Sequence, residues 1–114
     1  MLTPRTLAAA VAIAFPLLAA ADRITDMPRT ERCVYKARLS VAGYYHYLQG
    51  KPREAVRIHW HGNETQNEID YVSRTLDEAY ARAAALRHGS PDAPVSETQF
   101  GDQIYESCMN GGEL

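Results

Sequence analysis

His59-Trp60-His61, with Glu64 and Glu68 just beyond and His46 upstream, is the densest set of groups able to bind a metal in this sequence. Imidazoles and carboxylates together suit zinc or copper. The spacing argues against that use on a helix, where residues i and i+2 point about 200° apart. Metal-binding helical pairs want i, i+4, as in HExxH, and the sequence contains none. Glu64 and Glu68 would share a helix face as paired carboxylates, but they fall in a first turn, where the helix dipole favours acids in any case. Ser40, Ser73, Ser90, Ser96 and Ser107 are the hydroxyl nucleophiles on offer, and none stands in G-x-S-x-G or another activating context. Nor is there a glycine-rich phosphate loop. The residues therefore point to no catalytic set, no metal and no cofactor. An enzyme is the most distant of the functional classes considered.

Cys33 and Cys108 are the only cysteines. Two are too few for a disulfide-dense scaffold or a Cys-only zinc site. In an oxidising compartment an isolated pair reads as one disulfide joining the two ends of a small domain. For a loop of this length the chain-entropy estimate of its contribution is about 4 kcal/mol.

That compartment is suggested by residues 1–21. Arg5 is the one basic side chain of the opening, Leu7 to Leu18 runs without a charge, and Ala19-Ala20-Ala21 supplies a small-x-small cleavage pattern ahead of Asp22. This is the three-part form of a secretory signal peptide. As a helix the apolar run would span roughly 18 Å, against about 30 Å of hydrocarbon, which is too short for a membrane anchor. Cleavage would leave residues 22–114 as one domain in the bacterial periplasm, with no membrane attachment after the leader is removed. With 14 acidic and 12 basic side chains, a net charge of -2 and 46% hydrophobic residues, the chain lacks both the basic excess of a nucleic-acid binder and the composition of a disordered one.

The elements that must position these groups read as helices. Over residues 30–49, Cys33, Val34, Ala37, Val41, Tyr44, Tyr45 and Leu48 fall in one stripe at helical spacing, and Gly50 followed by Pro52 stops the run. Pro52 suits the first turn of a short second helix over 52–61, with Ala55, Val56 and Trp60 inward and Gly62 as its breaker. Asn63 with Gln66 resembles a capping box for a long helix over 64–87, whose inner stripe is Ile69, Val72, Leu76, Ala79, Tyr80, Ala83 and Leu86. Asp70 with Arg74 and Glu78 with Arg82 stand at i, i+4 on its outer face. Ser96 with Gln99 opens a last helix over 96–110, with Phe100, Ile104, Tyr105 and Cys108 inward. No stretch is read as alternating with period two. The expected fold is all-α: a small four-helix domain whose first and last helices are joined through Cys33 and Cys108.

The first of these helices carries a second stripe. Tyr35, Leu39, Ala42 and His46 cluster almost opposite the first one. A helix apolar on two sides either sits centrally in its bundle or offers a face to a partner, whether a second protein or a second copy of the chain.

The leader, Glu31-Arg32-Cys33, Leu48-Gln49-Gly50, Glu78-Ala79-Tyr80 and Phe100-Gly101 with Ile104-Tyr105 and Cys108 together resemble a group of small exported, single-disulfide helical proteins of proteobacteria to which no activity is assigned. The resemblance implies a helical periplasmic domain with one disulfide and no catalytic residue. In size, export and single disulfide the chain is also broadly similar to acid-stress chaperones of the HdeA type. Two functions follow as expectations: a non-enzymatic binding or interaction protein using the second stripe, or a chaperone loosened by self-repulsion when its carboxylates neutralise in acid.

Overall fold

The computed structural model describes residues 23–89 and 95–111. The expected signal peptide lies outside the described residues. Among the described residues four α-helices follow in order: α1 (Arg23–Asp26), α2 (Arg29–Leu48), α3 (Gln66–Gly89) and α4 (Glu97–Met109). Among the described residues there is no strand. The all-α, four-helix expectation holds, but the four are not the ones expected. The short helix is α1, which precedes the main run.

The helix expected over 52–61 is instead a single 3-10 turn, Arg53–Ala55, followed by extended backbone at Val56 (φ -74°, ψ 117°). From Val56 to His61 the chain has no helix, turn or bend. The sequence carries the reason. Val56, Ile58 and Trp60 alternate with Arg57, His59 and His61, a period-two pattern rich in β-branched and aromatic residues. The reading that no stretch alternates is corrected by this segment.

The cap of α3 also moves. Thr65, not Asn63, is its N-cap: the Thr65 hydroxyl accepts from the Glu68 N–H at 3.1 Å, and Glu68 Oε1 accepts from the Thr65 N–H at 3.0 Å. Two helix-end donors are thus satisfied reciprocally. The second box stands where expected, with Ser96 and Gln99 exchanging bonds of 3.1 Å each. On the outer face of α3, Asp70 accepts from Gln66 at 2.8 Å and Glu78 pairs with Lys36 of α2 at 3.5 Å, so both carboxylates have partners other than the arginines four residues on.

Helix α2 sits centrally, packing on α3 and on α4. The core joins Tyr44 of α2, Ala79 and Ala83 of α3, and Phe100 of α4, with Tyr47, Leu86, Val95 and Ile104 around them. Cys33 and Cys108 form a disulfide, their Cα atoms 5.6 Å apart, which links α2 to α4 across 75 residues. Both cysteines are buried. Two arginines of the first turns of α2 hold neighbouring carbonyls: Arg29 donates to Cys108 O at 3.0 Å, and Arg32 to Thr25 O and Met27 O at 3.0 and 2.9 Å. A guanidinium on the unpaired carbonyls of a helix C-terminus complements their negative partial charge.

The inner stripe of α2 differs from the one read from hydropathy. Ser40 and Gly43 are buried, while Tyr45 and Leu48 are about half exposed. Gly43 packs directly against α3: a Cβ there would lie 3.2 Å from both the Ala79 Cβ and the Leu76 Cδ2. Close helix crossings select small residues, a preference that hydrophobicity does not register.

Candidate functional site

A cleft of about 390 Å³ opens between α1, α2, the N-terminal half of α3 and the 58–61 run. Its apolar wall comprises Ile24 and Met27, Tyr35 and Leu39 from α2, Ile58, and Val72 from α3. Arg23, His59, Trp60, His61, Glu64 and Glu68 complete the rim. The cleft therefore brings together two groups that are far apart in sequence, half of the second stripe of α2 and the histidine-tryptophan segment.

Each wall has an identifiable anchor. Tyr35 stacks on Tyr71 of α3, ring centroids 6.1 Å apart and planes 9° from parallel, and Arg74 lies 5.8 Å over the Tyr71 ring. Burial raises the pKa of both phenols, so they stay neutral well into the alkaline range. Glu68 is buried and receives the Arg23 Nε at 2.9 Å, which ties α1 to α3. Arg23 is half exposed, and this pair is screened accordingly.

The outer wall is fixed at both ends. At its start, Arg53 Nε contacts Asp77 Oδ1 at 2.7 Å, Arg53 Nη2 donates to Ser73 O at 3.2 Å, and the Tyr80 hydroxyl donates to Lys51 O at 2.6 Å. At its end, Glu64 accepts the His61 N–H at 2.7 Å and the Gly62 N–H at 2.9 Å, closing a turn that Gly62 enters at φ 99°. These donors, that of His61 foremost, lower the Glu64 pKa below the usual carboxylate value.

The other two residues of the second stripe lie elsewhere. Ala42 is exposed, and His46 is half-buried with its ring 5.6 Å from that of Tyr45 at 69°. Neither lines the cleft. Tyr35 and Leu39 do, so α2 is central in its bundle at these positions while leaving one side of both residues open to the cleft.

His59 and His61 lie on a non-helical segment, so the i, i+2 objection to a shared metal does not apply to them. On a straight segment i and i+2 point the same way. Even so, among the described residues no three of His, Cys, Asp and Glu gather closely enough to hold a metal ion. Ser40 is buried between helices, Ser96 caps α4, and Ser90 lies outside the described residues. The cleft offers an apolar floor, an aromatic edge and a charged rim, the usual equipment for holding a ligand in a fixed orientation.

Sequence reasoning missed Ile24, Met27, Ile58, Glu68 and Val72 as a set, because no periodicity relates residues from three separate segments. The available signal was the alternation of Val56, Ile58 and Trp60. The chain matches no protein-family model, no curated protein and no solved structure at a significant level, so the cleft is read from its own residues.

Proposed function

We propose that the protein is an exported, periplasmic binding module without enzymatic activity, and that the cleft beside Tyr35 and Leu39 is where it holds its partner. The observation that carries this reading is the convergence of Tyr35 and Leu39 with Trp60 on one half-open cavity. Trp60 is 41% exposed at its edge, and large exposed aromatics beside an apolar pocket are typical binding anchors. Export is supported by the leader-like opening residues and by the pairing of the only two cysteines in a disulfide. Among the described residues no helix is long and apolar enough to cross a membrane.

The test is a comparison of Leu39→Glu with the parent chain. Leu39 is half-buried at the cleft wall, so the change should cost about 1 kcal/mol of stability, less than a closed-core substitution. Affinity capture from periplasmic extract should then recover a partner with the parent chain and lose it with Leu39→Glu. Equal recovery by both would remove the cleft from the function.

A second reading has one observation in its favour. The outer wall is held by the Glu64 carboxylate, whose pKa is lowered by the His61 and Gly62 N–H groups that donate to it, so acid would loosen that wall and bare the apolar lining of the cleft, as an acid-responsive chaperone requires. Light scattering of a client mixture at acid pH separates the two: suppression of aggregation only in acid favours the chaperone.

A further inference from the structure

We propose that the groove between α2 and α4, on another side of α2 from the cleft, is a docking surface for a basic amphipathic helix of a partner protein. Val34, Ala37 and Val41 of α2 and Gly101 and Tyr105 of α4 form its floor, all half-buried, around a volume of about 480 Å³. The missing side chain at Gly101 brings the two helices together here: a Cβ would lie 2.8 Å from the Val41 Cγ2. Two adjacent helices offer a third a seat along the furrow between them, with its apolar stripe facing down.

The apolar surface continues past the groove. Tyr45 and Leu48, one and two turns beyond Val41 on α2, are about half exposed. Among the described residues the only other large hydrophobic so open is Trp60, at the cleft. A continuous apolar strip of this kind marks an interaction surface, where single exposed hydrophobics do not.

Charge decides what covers it. Arg38 stands on the α2 rim and Glu97 and Asp102 on the α4 rim, with Glu31 of α2 and Glu106 of α4 exposed beside them. Among the described residues none of these five side chains forms an ion pair. Glu31 offsets Arg38, so the α2 rim is neutral. Glu97 lies in the first turn of α4, where the positive end of the helix dipole offsets part of its charge. Asp102 and Glu106, in later turns, have no such compensation. The imbalance holds for the whole stretch around α4: residues 89–114 contain Asp92, Glu97, Asp102, Glu106 and Glu113 and no lysine, arginine or histidine. Such an edge repels nucleic acid and anionic lipid and attracts a cationic segment. A two-fold pairing with a second copy would set the acidic edge against itself.

The experiment follows the anisotropy of a fourteen-residue probe, fluorescein-Lys-Leu-Ala-Lys-Leu-Leu-Lys-Lys-Leu-Ala-Lys-Leu-Leu-Lys-amide, titrated with the protein. In a second probe glutamate replaces each lysine. In a third the residues of the first are reordered so that no helix face is apolar. The basic amphipathic probe should bind saturably and more weakly as salt rises, and the other two about tenfold or more weakly than it. Asp102→Lys should weaken binding about fivefold and Arg38→Glu should strengthen it about threefold. Both side chains are exposed and unpaired, so both variants should keep the parent fold. The same reversal at Asp70, on the outer face of α3, should change affinity by less than about twofold. Absence of saturable binding, equal binding by the acidic or the reordered probe, or equal effects of Asp102→Lys and Asp70→Lys would overturn the proposal. Sedimentation of the protein alone covers the remaining occupant: a dimer that Asp102→Lys or Arg38→Glu splits would mean that a second copy fills the groove, and would overturn it too.

Discussion

Tyr44 of α2 lies flat on Phe100 of α4, with ring centroids 4.2 Å apart and planes 3° from parallel, and its hydroxyl donates to the Val95 carbonyl at the entry to α4. One side chain thereby fixes both the packing of α4 and the path of the chain leading into it. Phe100 is fully buried. Phe100→Ala should cost about 3–5 kcal/mol through lost burial and the cavity left behind. Tyr44→Phe keeps the stack and should cost about 1 kcal/mol for the hydrogen bond alone. Urea unfolding followed by circular dichroism measures both.

Gly43 occupies the crossing of α2 and α3. Its hydrogen faces the Ala79 and Leu76 side chains at a distance where a Cβ already crowds them. Gly43→Val should therefore destabilise by about 1–3 kcal/mol through overpacking, although valine is the more hydrophobic residue. An unfolding midpoint at or above that of the parent would show that the crossing can open without penalty.

The disulfide closes a loop of 75 residues between buried cysteines. Replacing both by serine should remove about 4 kcal/mol, on the chain-entropy estimate. Because neither sulfur is exposed, dithiothreitol should leave the native bond intact and reduce it at a rate limited by opening of the fold. Non-reducing peptide mapping after timed reduction checks this, and rapid quantitative reduction of protein with native circular dichroism would contradict it.

What could be read from the sequence divides along a physical line. The helices containing Cys33, Leu76 and Phe100 were legible because each presents a periodic stripe over several turns, and the Ser96–Gln99 box because its two side chains act locally. The disulfide was legible because the sequence holds two cysteines and no others. The 52–61 segment misled because Pro52 and Gly62 bracket it like a short helix, while the alternation of Val56, Ile58 and Trp60 spans too few residues to dominate a helical reading. The cap at Thr65 was overlooked because Asn63–Gln66 and Thr65–Glu68 have the same spacing, and Glu68 wins through its added contact with Arg23. The cleft was half legible: the second stripe flagged Tyr35 and Leu39, but α1 and Val72 join them only through tertiary packing.

Alkali should weaken the fold before it affects the arginines. Burial raises the phenol pKa values of Tyr35, Tyr44, Tyr71 and Tyr80 above the ordinary one. A proton is thus held more tightly in the folded chain than in the unfolded one. The resulting stabilisation is complete below the unfolded phenol pKa of about 10 and disappears as pH rises through the folded values. Absorbance titration should show a group of tyrosines ionising late and together with loss of helix signal. Ionisation of all seven tyrosines in one step near pH 10, with the fold intact, would contradict it.

Acid should act first on the outer wall of the cleft. Glu64 accepts from the N–H groups of His61 and Gly62, which lowers its pKa in the folded state, that of His61 having the largest effect. The ionised carboxylate therefore favours the closed turn. Its contribution is present above the unfolded carboxyl pKa, about 4.3, and is lost as pH falls through the lowered folded value. The turn holds only one end of the 56–61 run, since Arg53 and Tyr80 secure the other by contacts to Asp77 and Lys51. Losing it should free Trp60 without melting α2 or α3. Fluorescence of Trp60 should then report an acid transition at a pH where far-ultraviolet circular dichroism is still unchanged. Glu64→Gln should show the loosened emission already at neutral pH and lack the transition, because an amide offers one accepting oxygen, uncharged, where the carboxylate offers two. Coincident fluorescence and circular dichroism transitions, unaltered by Glu64→Gln, would mean that the wall and the bundle unfold as one unit and that Glu64 does not control the cleft.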